Sequence, residues 1–399
     1  MKPNYLAFIC IAGLCFIGCA EKEAPVQKKI VVRNTMNVDR QFETVSIAID
    51  SLDFGAEDPK KGRIIIMDAA NQKPILSQTI DSDGDGTDDT VLFQPNIKAK
   101  SEIIYTAIRS DSMSTTANDS VARCYSRFVP ERTDDYAWEN DRVAFRTYGP
   151  VAQKMVEDDV KGGTLSSGID AWLKRVDYPI INKWYEKELE TDGSYHEDTG
   201  EGLDNFHVGS SRGVGGIALK KGDTYHISRN FTSWKRLFNG PIRTSFVLTY
   251  ADWDADGKQI SEEKHISLDY GSNLSRFEIN LEGTDTISAG LTLHENKGTT
   301  NVNEEDGWIS YWEPHFDSEI GTGIVIPDDG MIGHDKYETE EKDRSNIYAH
   351  ITLSDSDKAV YYAGFGWKKS GQFGTKADWE KYLKEFSERL KNPLVVAMR

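Results

Sequence analysis

The sequence predicts a mainly β protein, in which a small N-terminal β-sandwich precedes a large antiparallel, supersandwich-like domain of two sheets with a few helices. Short runs of Thr, Ile, Val, Tyr and Phe alternate with Gly, Asn and Asp, a pattern typical of strands and turns. Blocks rich in Leu and Ala, which favour helices, are few. Aromatic residues make up 11% of the 399 residues, so a core can form although only 38% of the chain is hydrophobic.

The N-terminal segment resembles a bacterial export signal. Lys2 precedes an apolar run from Tyr5 to Ile17, which is too short to span a bilayer as a stable helix. Gly18-Cys19, followed by polar residues, is similar to the lipobox of bacterial lipoproteins. We predict that residues 1–18 are a signal peptide, that Cys19 is the lipid anchor and that residues 19–27 are a tether, as in an outer-membrane lipoprotein on the periplasmic or cell-surface side. An ordinary secretory signal is the alternative.

Residues 28–120 are predicted to form the small N-terminal β-sandwich. Their strand-like apolar runs are separated by turn residues and span 30–32, 43–49, 63–67, 91–93 and 103–108.

An acidic stretch lies within this module. Its aspartates alternate and are followed by glycine, as in the first half of a calcium loop, so Asp81, Asp83 and Asp85 are candidate Ca²⁺ ligands. The twelfth position of the loop holds Leu92 where a glutamate would complete the ligand set. The alternative is a hairpin turn whose aspartates bind their own backbone.

Residues 121–399 are predicted to form the large domain. Strand-like runs span 242–250, 264–268, 276–281, 288–293, 308–312, 323–326, 347–353 and 360–367. Asp256-Gly257 predicts a hairpin turn between two of them. Apolar spacing predicts a helix within residues 167–189, and Thr375 with Asp378 predicts the start of a C-terminal helix.

Charge and motif content exclude several classes of function. A formal net charge of −18 argues against a nucleic-acid partner. The sequence has no P-loop, no Rossmann fingerprint and no His-Glu-x-x-His motif, so we expect no nucleotide. Once a signal peptide is removed, the remaining cysteines are the lipidated Cys19 and Cys124, so an intramolecular disulfide is not expected.

The glycine-rich segment from Tyr195 to Gly216 is the predicted site. Titratable side chains together with glycines suit a functional loop better than a core strand. Its candidates are one tyrosine, two histidines, four carboxylates and one arginine: Tyr195, His196, His207, Glu197, Asp198, Glu201, Asp204 and Arg212. The alternative is a solvated acidic loop whose glycines only form turns.

A second candidate region lies earlier in the chain. Arg132, Arg142 and Arg146 are close in sequence to Trp138 and Asn140. Guanidinium groups bind carboxylates in a bidentate manner, and an aromatic face stacks on a sugar ring, so this region suits a sugar acid. A buried ion-pair network is an equally good interpretation.

Further histidines lie at the ends of predicted strands, where a sandwich opens. His294 follows one strand and His315 follows another. Such positions are plausible for a site, although for each histidine taken alone a structural role is favoured.

Several longer motifs resemble one known family. They are Trp138–Arg146 with Tyr148-Gly149-Pro150, Gly168–Lys174, Tyr195-His196 through Asp204, Val208-Gly209, Asn239-Gly240-Pro241 and Phe365-Gly366-Trp367. Together they resemble a family of lipoproteins from polysaccharide-degrading marine Bacteroidetes, catalogued as a domain of unknown function, that includes ulvan oligosaccharide dehydratases. The resemblance covers nearly the whole chain after the tether. It implies that the substrate is an anionic oligosaccharide, from whose non-reducing-end glucuronate or iduronate water is eliminated to give a 4,5-unsaturated uronyl residue.

This reaction needs a base, an acid and a cation. The base removes the C5 proton, the acid protonates the departing C4 hydroxyl, and the cation stabilises the charge that develops on the carboxylate. We predict that His196 is the base and that Tyr195 or His207 is the acid. Glu201 or Asp204 would orient the imidazole.

The predicted substrate-binding residues are cationic, amide and aromatic: Arg212, Arg142, Arg146, Asn140, Trp138 and Lys174. A divalent metal is the alternative neutraliser of the carboxylate, with His196, Glu197, Asp198 and Asp204 as potential ligands. No cofactor is certain from the sequence.

Two other functions stay open. A carbohydrate-binding lipoprotein without catalysis would use Trp138, Trp172 and Trp184 as sugar platforms. A glycoside hydrolase would need two opposed carboxylates, for which Glu139 and Glu201 are candidates.

Overall fold

The computed structural model describes residues 27–54, 63–110, 122–327, 330–354 and 357–399. The predicted signal peptide, Cys19 and all but the last residue of the predicted tether lie outside these ranges. Within the described residues, no helix combines the length and the apolarity needed to cross a membrane.

The N-terminal module contains two small sheets in the described part of the chain. The first is formed by Gln27–Arg33 (β1), Arg63–Asp68 (β3), Glu102–Ser110 (β6) and Val395–Met398 (β26), in the order β26-β1-β6-β3. The second is formed by Val45–Ala48 (β2), Ser77–Ile80 (β4) and Thr90–Phe93 (β5), in the order β2-β5-β4. Side chains of both sheets, such as Val32, Ile47 and Ile66, share one core. The last strand of the chain therefore completes the module that the first strand begins.

A large sheet dominates the second part. Its described strands are Phe231–Phe238 (β14), Arg243–Tyr250 (β15), Trp253–Asp254 (β16), Gln259–Asp269 (β17), Leu274–Glu282 (β18), Thr299–Asn303 (β20), Trp308–His315 (β21), Ser318–Val325 (β22) and Lys358–Trp367 (β25). They are antiparallel in the order β14-β15-β17-β18-β25-β22-β21-β20, and β16 pairs with β17. Asp256 and Gly257 both have positive φ, at 55° and 80°, as the predicted hairpin turn requires.

The opposing sheet faces the large sheet. It is formed by Val214–Lys221 (β12), Thr224–His226 (β13), Thr286–Thr292 (β19), Met331–Tyr337 (β23) and Asn346–Thr352 (β24), in the order β13-β12-β19-β24-β23. Side chains of both sheets, such as Ile217, Leu291 and Tyr361, belong to one continuous core. The two sheets therefore form the predicted large sandwich.

A third sheet, called here the loop-bearing sheet, packs on the large sheet beside this sandwich. It is formed by Tyr125–Val129 (β7), Asp135–Glu139 (β8), Ala144–Thr147 (β9), Asp170–Lys174 (β10) and Gly202–Leu203 (β11), in the order β11-β10-β9-β8-β7. Tyr136 stacks on Phe246 of the large sheet, with ring centroids 4.2 Å apart. The other face of the loop-bearing sheet packs against a helix and against the segment that begins at Tyr195.

The helices cover sheet faces. Their bounds are Pro150–Glu157 (α1), Ile181–Glu190 (α2) and Lys376–Lys391 (α3), and short 3₁₀ turns span Ile49–Leu52, Pro130–Arg132 and Lys368–Ser370. The Thr375 hydroxyl accepts a hydrogen bond from the backbone N–H of Asp378, as the predicted cap requires. Trp379 and Leu383 bury α3 against the side of the large sheet that faces away from the sandwich core.

The predicted fold class is confirmed, since the described chain is mostly antiparallel β with a C-terminal helix. The helix predicted within residues 167–189 is only partly right, because 170–174 form the strand β10 and α2 begins at Ile181. The predicted boundary at residue 120 stays a prediction, with the addition that β26 pairs with β1.

Substitution of Val396 by Asp should destabilise the N-terminal module. Val396 packs on the module core, whereas Val395 is 48% exposed. A charge at position 396 should lower the free energy of unfolding by about 1–3 kcal/mol, seen as a lower urea midpoint. Val395→Asp is the matched control and should change stability by less than about 0.5 kcal/mol. Equal effects of the two substitutions would contradict this packing.

Candidate functional site

A buried ionic cluster joins the loop-bearing sheet to the segment that contains His196. Arg146 on β9 lies within 2.6 Å of Asp170 on β10, 2.9 Å of Asp204 and 3.6 Å of Asp135 on β8. Its remaining donor reaches the hydroxyl of Tyr195 at 3.1 Å. One guanidinium therefore ties two neighbouring strands and the following loop to β9.

The carboxylates of this cluster outnumber its cations. Arg132 is the second cation and also donates to the Tyr195 hydroxyl, at 3.2 Å. Burial raises the pKa of Asp135 to about 6. Burial, and then the negative charge of Asp204, raises the pKa of Asp170. Three carboxylates facing two guanidinium groups favour retention of a proton.

His196 is held in one tautomer by this arrangement. Its Nδ1 lies 2.5 Å from the backbone carbonyl oxygen of Asp204, which can only accept, so Nδ1 carries the hydrogen. The lone pair is then on Nε2. The side chain is 54% exposed. Asp204 thus fixes the ring through its carbonyl while its carboxylate binds Arg146.

His196 lies at one end of a surface cleft. This end, with a volume of about 540 Å³, is lined also by Asp198, Asn205, Phe316 and Lys369. A second cavity of about 720 Å³ also has Asn205 and Phe316 in its lining, so the two cavities are adjacent. We call these two adjacent cavities together the histidine cleft.

Three more histidines line the larger end of the histidine cleft. His207 Nε2 contacts the carboxylate of Asp343 at 2.9 Å. His294 Nδ1 bonds the Glu313 carboxylate, and its Nε2 lies 2.8 Å from the backbone carbonyl oxygen of His207. His315 Nε2 lies 3.0 Å from the side-chain oxygen of Asn205.

The buried histidines have opposite shifts in pKa. Burial disfavours a charge on His294, but the hydrogen bond and the negative charge of Glu313 outweigh it and raise the pKa of His294. Burial, and then the charge of His294, lowers the pKa of His315 to about 4. A proton is therefore held more readily on His294 than on His315.

Three residues that line this cleft have strained backbone. His294, Phe316 and Asp343 have φ values of 44°, 51° and 62°, in the left-handed region that such residues seldom adopt. Strained backbone of this kind is common at binding and catalytic sites. Gly209 is also left-handed, and a Cβ there would lie 2.1 Å from the Asp343 carboxylate that binds His207.

Phe316 is the most exposed large hydrophobic residue among those described, at 79%. It lies at the tip of the β21–β22 hairpin and contributes to both ends of the histidine cleft. An exposed aromatic ring beside polar groups is suited to stack on a sugar.

Three predicted members of the Tyr195 loop have supporting positions: Tyr195, Glu201 and Asp204. Tyr195 is 1% exposed and its hydroxyl is taken up by two arginines. Glu201 accepts from Tyr178, Lys183 and the Trp184 indole, so it anchors α2 and does not orient His196. Asp204 performs that orientation, as predicted, through its backbone.

The three predicted arginines do not reach the histidine cleft with free donors. Arg146 is saturated by its carboxylates. Arg212 is buried and donates to the Ser167 hydroxyl and to the carbonyls of Ile217 and Ser210; burial lowers its pKa. Arg142 lies elsewhere, with Phe42 under its guanidinium at 5.2 Å. The structure therefore does not place these three arginines as a clamp for a carboxylate beside His196.

Three other residues that were predicted to bind substrate have structural positions instead: Trp138, Asn140 and Lys174. The Trp138 ring is fully buried and donates to Ser275. Asn140 donates to two backbone carbonyls and accepts from two backbone N–H groups. Lys174 is buried in an ion pair with Glu139, at 2.8 Å, that supports the start of α2.

The predicted calcium loop differs in its third ligand. Oxygens of Asp81 and Asp83 converge with Asp89, and Asp85 instead accepts from the backbone of Thr87. Asp81 accepts from the N–H groups of three residues of the same turn. These bonds are those of the alternative considered from the sequence, a turn that binds its own backbone.

A different cavity, of about 530 Å³, lies between the N-terminal module, the large sheet and α3. Its arginines are Arg142, Arg243, Arg276 and Arg389. It suits an anion, but its described lining contains no histidine, and two of the arginines are paired with Asp269 and Glu278. Since proton transfer near neutral pH needs a suitable base, the histidine cleft is the better candidate for chemistry.

Six residues that line the histidine cleft were not predicted as site members: Asn205 of the Tyr195 loop and, from elsewhere in the chain, His294, Glu313, His315, Phe316 and Asp343. A partial signal existed, since His294 and His315 both follow predicted strands. Their convergence depends on the packing of two sheets, since His294 follows β19 of the opposing sheet and His315 ends β21 of the large sheet.

The architecture has a counterpart in a solved structure. A protein in glycosyl hydrolase family 38 from Enterococcus faecalis is similar with a TM-score of 0.53 over 94% of this chain, at 11% sequence identity. The present chain spans 47% of the length of that protein. At this identity the similarity shows the fold alone.

Sequence comparison defines the family. Residues 32–396 match the family described as Domain of unknown function (DUF4861), and the chain belongs to it. A Formosa agariphila protein described as Uncharacterized protein P7 is 54% identical over 400 residues, which cover all of both chains. The predicted membership of a family catalogued as a domain of unknown function is therefore confirmed, whereas the lipid anchor and the ulvan substrate stay predictions.

Substitution of Asp135 by Asn should change how stability depends on pH. A carboxyl whose pKa is raised by folding, here from 3.8 to about 6, stabilises the protein below pH 4 and loses this contribution as the pH rises through 6. The variant has no carboxyl at position 135, so its stability does not fall in this way as the pH rises. The difference in free energy of unfolding, variant minus wild type, should therefore rise between pH 4 and pH 8, by up to about 3 kcal/mol.

Urea unfolding at both pH values measures this difference. Asp223→Asn, in an exposed turn, is the control and should leave the pH dependence of stability unchanged. A difference for Asp135→Asn that stays constant or falls with pH would show that the buried cluster does not retain a proton.

Proposed function

We propose that this protein is an oligosaccharide dehydratase that eliminates water from a saturated uronate at the non-reducing end of ulvan-type oligosaccharides. The observation that carries the proposal is the state of His196: its Nδ1 donates to the Asp204 carbonyl, which leaves the lone pair of the neutral ring on Nε2, and the residue lines the histidine cleft. Family membership and the motif resemblance support the substrate class.

The proposed reaction balances without a redox partner. His196 Nε2 takes the C5 proton, the C5–H bond becomes the C4=C5 double bond, and the C4–O bond breaks. An acid delivers a proton to the departing hydroxyl, which leaves as water. Since Tyr195 is buried, His207, which lines the cleft and contacts the Asp343 carboxylate through Nε2, is the better candidate for the acid.

The cleft supplies other features that this substrate needs. Phe316 offers an exposed face for the sugar ring. Among the described lysines and arginines, those that line the cleft are Lys297, Lys342 and Lys369. They are suited to the acidic and sulfated groups of the oligosaccharide.

The glycoside hydrolase alternative has weaker support. Its candidate carboxylates, Glu139 and Glu201, are held by Lys174 and Lys183 and do not line the histidine cleft. A binding protein without catalysis remains the second outcome of the test below, because Phe316 alone would suit sugar binding.

The proposal includes attachment to the outer membrane through Cys19, which rests on the sequence. Cys19→Ser should abolish incorporation of labelled palmitate in a bacterial host and release the protein from the membrane fraction. Labelling that persists in this variant would contradict the anchor.

Incubation with saturated uronate-terminated oligosaccharides should give a product lighter by one water, with its chain length unchanged, when followed by mass spectrometry. His196→Ala should slow this conversion by about 10²–10⁴-fold, because the base is lost. The control is His226→Ala, on β13, which does not line the described cavities.

Circular dichroism and the urea midpoint verify that both variants are folded. A folded His196→Ala variant with the wild-type rate would remove His196 from the mechanism. Shorter products would instead identify a hydrolase or a depolymerising lyase, and binding without any product would identify a binding protein.

A further inference from the structure

One cluster in the histidine cleft has a donor set typical of a transition-metal site. Ligand atoms of His294, Glu313 and His315 all lie within 4.8 Å of one another. Two imidazole nitrogens and a carboxylate oxygen are the donors that zinc and similar divalent ions prefer. The acidic turn at Asp81 is the other metal-capable group in the described chain, and it offers only carboxylates.

Strand geometry brings these three side chains together. Glu313 and His315 are two residues apart on β21, so they project from the same face of the strand. His294 follows β19 of the opposing sheet, with its backbone in the left-handed region. The cluster therefore joins the two sheets of the sandwich at its open end.

Outer contacts fix the orientation of both rings. His294 Nε2 faces the backbone carbonyl of His207, which can only accept, so this nitrogen carries the hydrogen and Nδ1 is the donor atom of the neutral ring. His315 Nε2 bonds the Asn205 amide oxygen. Phe206 packs edge-on against His294, with centroids 4.6 Å apart. Metal-binding histidines commonly have such a partner on the second ring nitrogen.

The cluster is buried on one side and open on the other. Glu313 and His315 are 4% and 7% exposed, yet all three residues line the 720 Å³ cavity. A site with three protein ligands and an adjacent cavity leaves coordination positions for a substrate oxygen or water, as in catalytic metal sites. The other neutraliser that we considered from the sequence used Asp204, whose carboxylate is occupied by Arg146.

We propose that His294, Glu313 and His315 form a binding site for a divalent transition metal of the zinc class. In the proposed dehydration, and resting on that function, the ion binds the uronate carboxylate. It thereby takes the role that the three buried or distant arginines cannot fill.

Calorimetric titration of the chelator-stripped, tag-free protein with ZnCl₂ tests the site without any substrate. One Zn²⁺ should bind per chain, and Glu313→Gln and His315→Gln should each weaken binding at least about 10-fold. Glu304→Gln is the matched control, because Glu304 bonds His334 in a second His–Glu pair outside the cleft, and it should leave the affinity unchanged.

The proposal is overturned if the wild type binds no stoichiometric Zn²⁺, or if a folded variant of either ligand binds as tightly as the wild type. Substitution with Co²⁺ gives a readout that needs no variant: the visible spectrum should report nitrogen ligation, and a spectrum equal to that of the hydrated ion would contradict the site.

The outcomes separate this proposal from the proposed function. Stoichiometric Zn²⁺ binding without dehydration of any uronate would support the site and contradict the function. Dehydration that is unaffected by complete metal removal and by Glu313→Gln would support the function and contradict the role of the metal.

Discussion

The buried ion-pair cluster around Arg146 is the interaction on which the rest of the site depends. It connects β8, β9 and β10 to the loop that contains His196. Removal of one partner from such a cluster leaves uncompensated buried charge, which is far costlier than loss of a surface ion pair. The glycine-rich loop can therefore be long and polar and still present one imidazole in a fixed orientation.

The same cluster explains why arginines that look like ligands for a sugar acid are not free to act as such. Arg146 satisfies its donors internally with Asp135, Asp170, Asp204 and Tyr195. Of the three aspartates, only Asp204 was a site candidate from the sequence. The proposed reaction is therefore assigned to His196 and to the histidines of the opposite wall. There, cavity volume and exposed aromatic surface occur together. A cation at the His294–Glu313–His315 cluster would supply positive charge in the cleft, separate from the buried ion pairs of Arg146 that support the loop.

Local signals in the sequence predicted much of the fold. Period-two alternation located most strands of the large sandwich, Asp256-Gly257 predicted a hairpin, and Thr375 marked the start of α3. The loop around His196 was also found, because titratable residues and glycines coincide there. What the sequence could not provide was which polar groups are buried, since Trp138, Asn140 and Lys174 have the same residue types as a sugar site.

The opposite wall of the cleft was beyond local inference for a different reason. His294 and His315 come from the two facing sheets, and their proximity depends on packing between elements that are distant along the chain. Likewise, nothing in residues 395–398 indicates that they pair with β1 at the other end of the chain.

The central claim is that the cleft breaks the C5–H bond of a terminal uronate. An oligosaccharide that carries deuterium at C5 of that residue tests it most directly. The account predicts that the unsaturated product has lost this deuterium and that its formation is slower than from the unlabelled substrate. A product that retains deuterium at C5 would contradict the account.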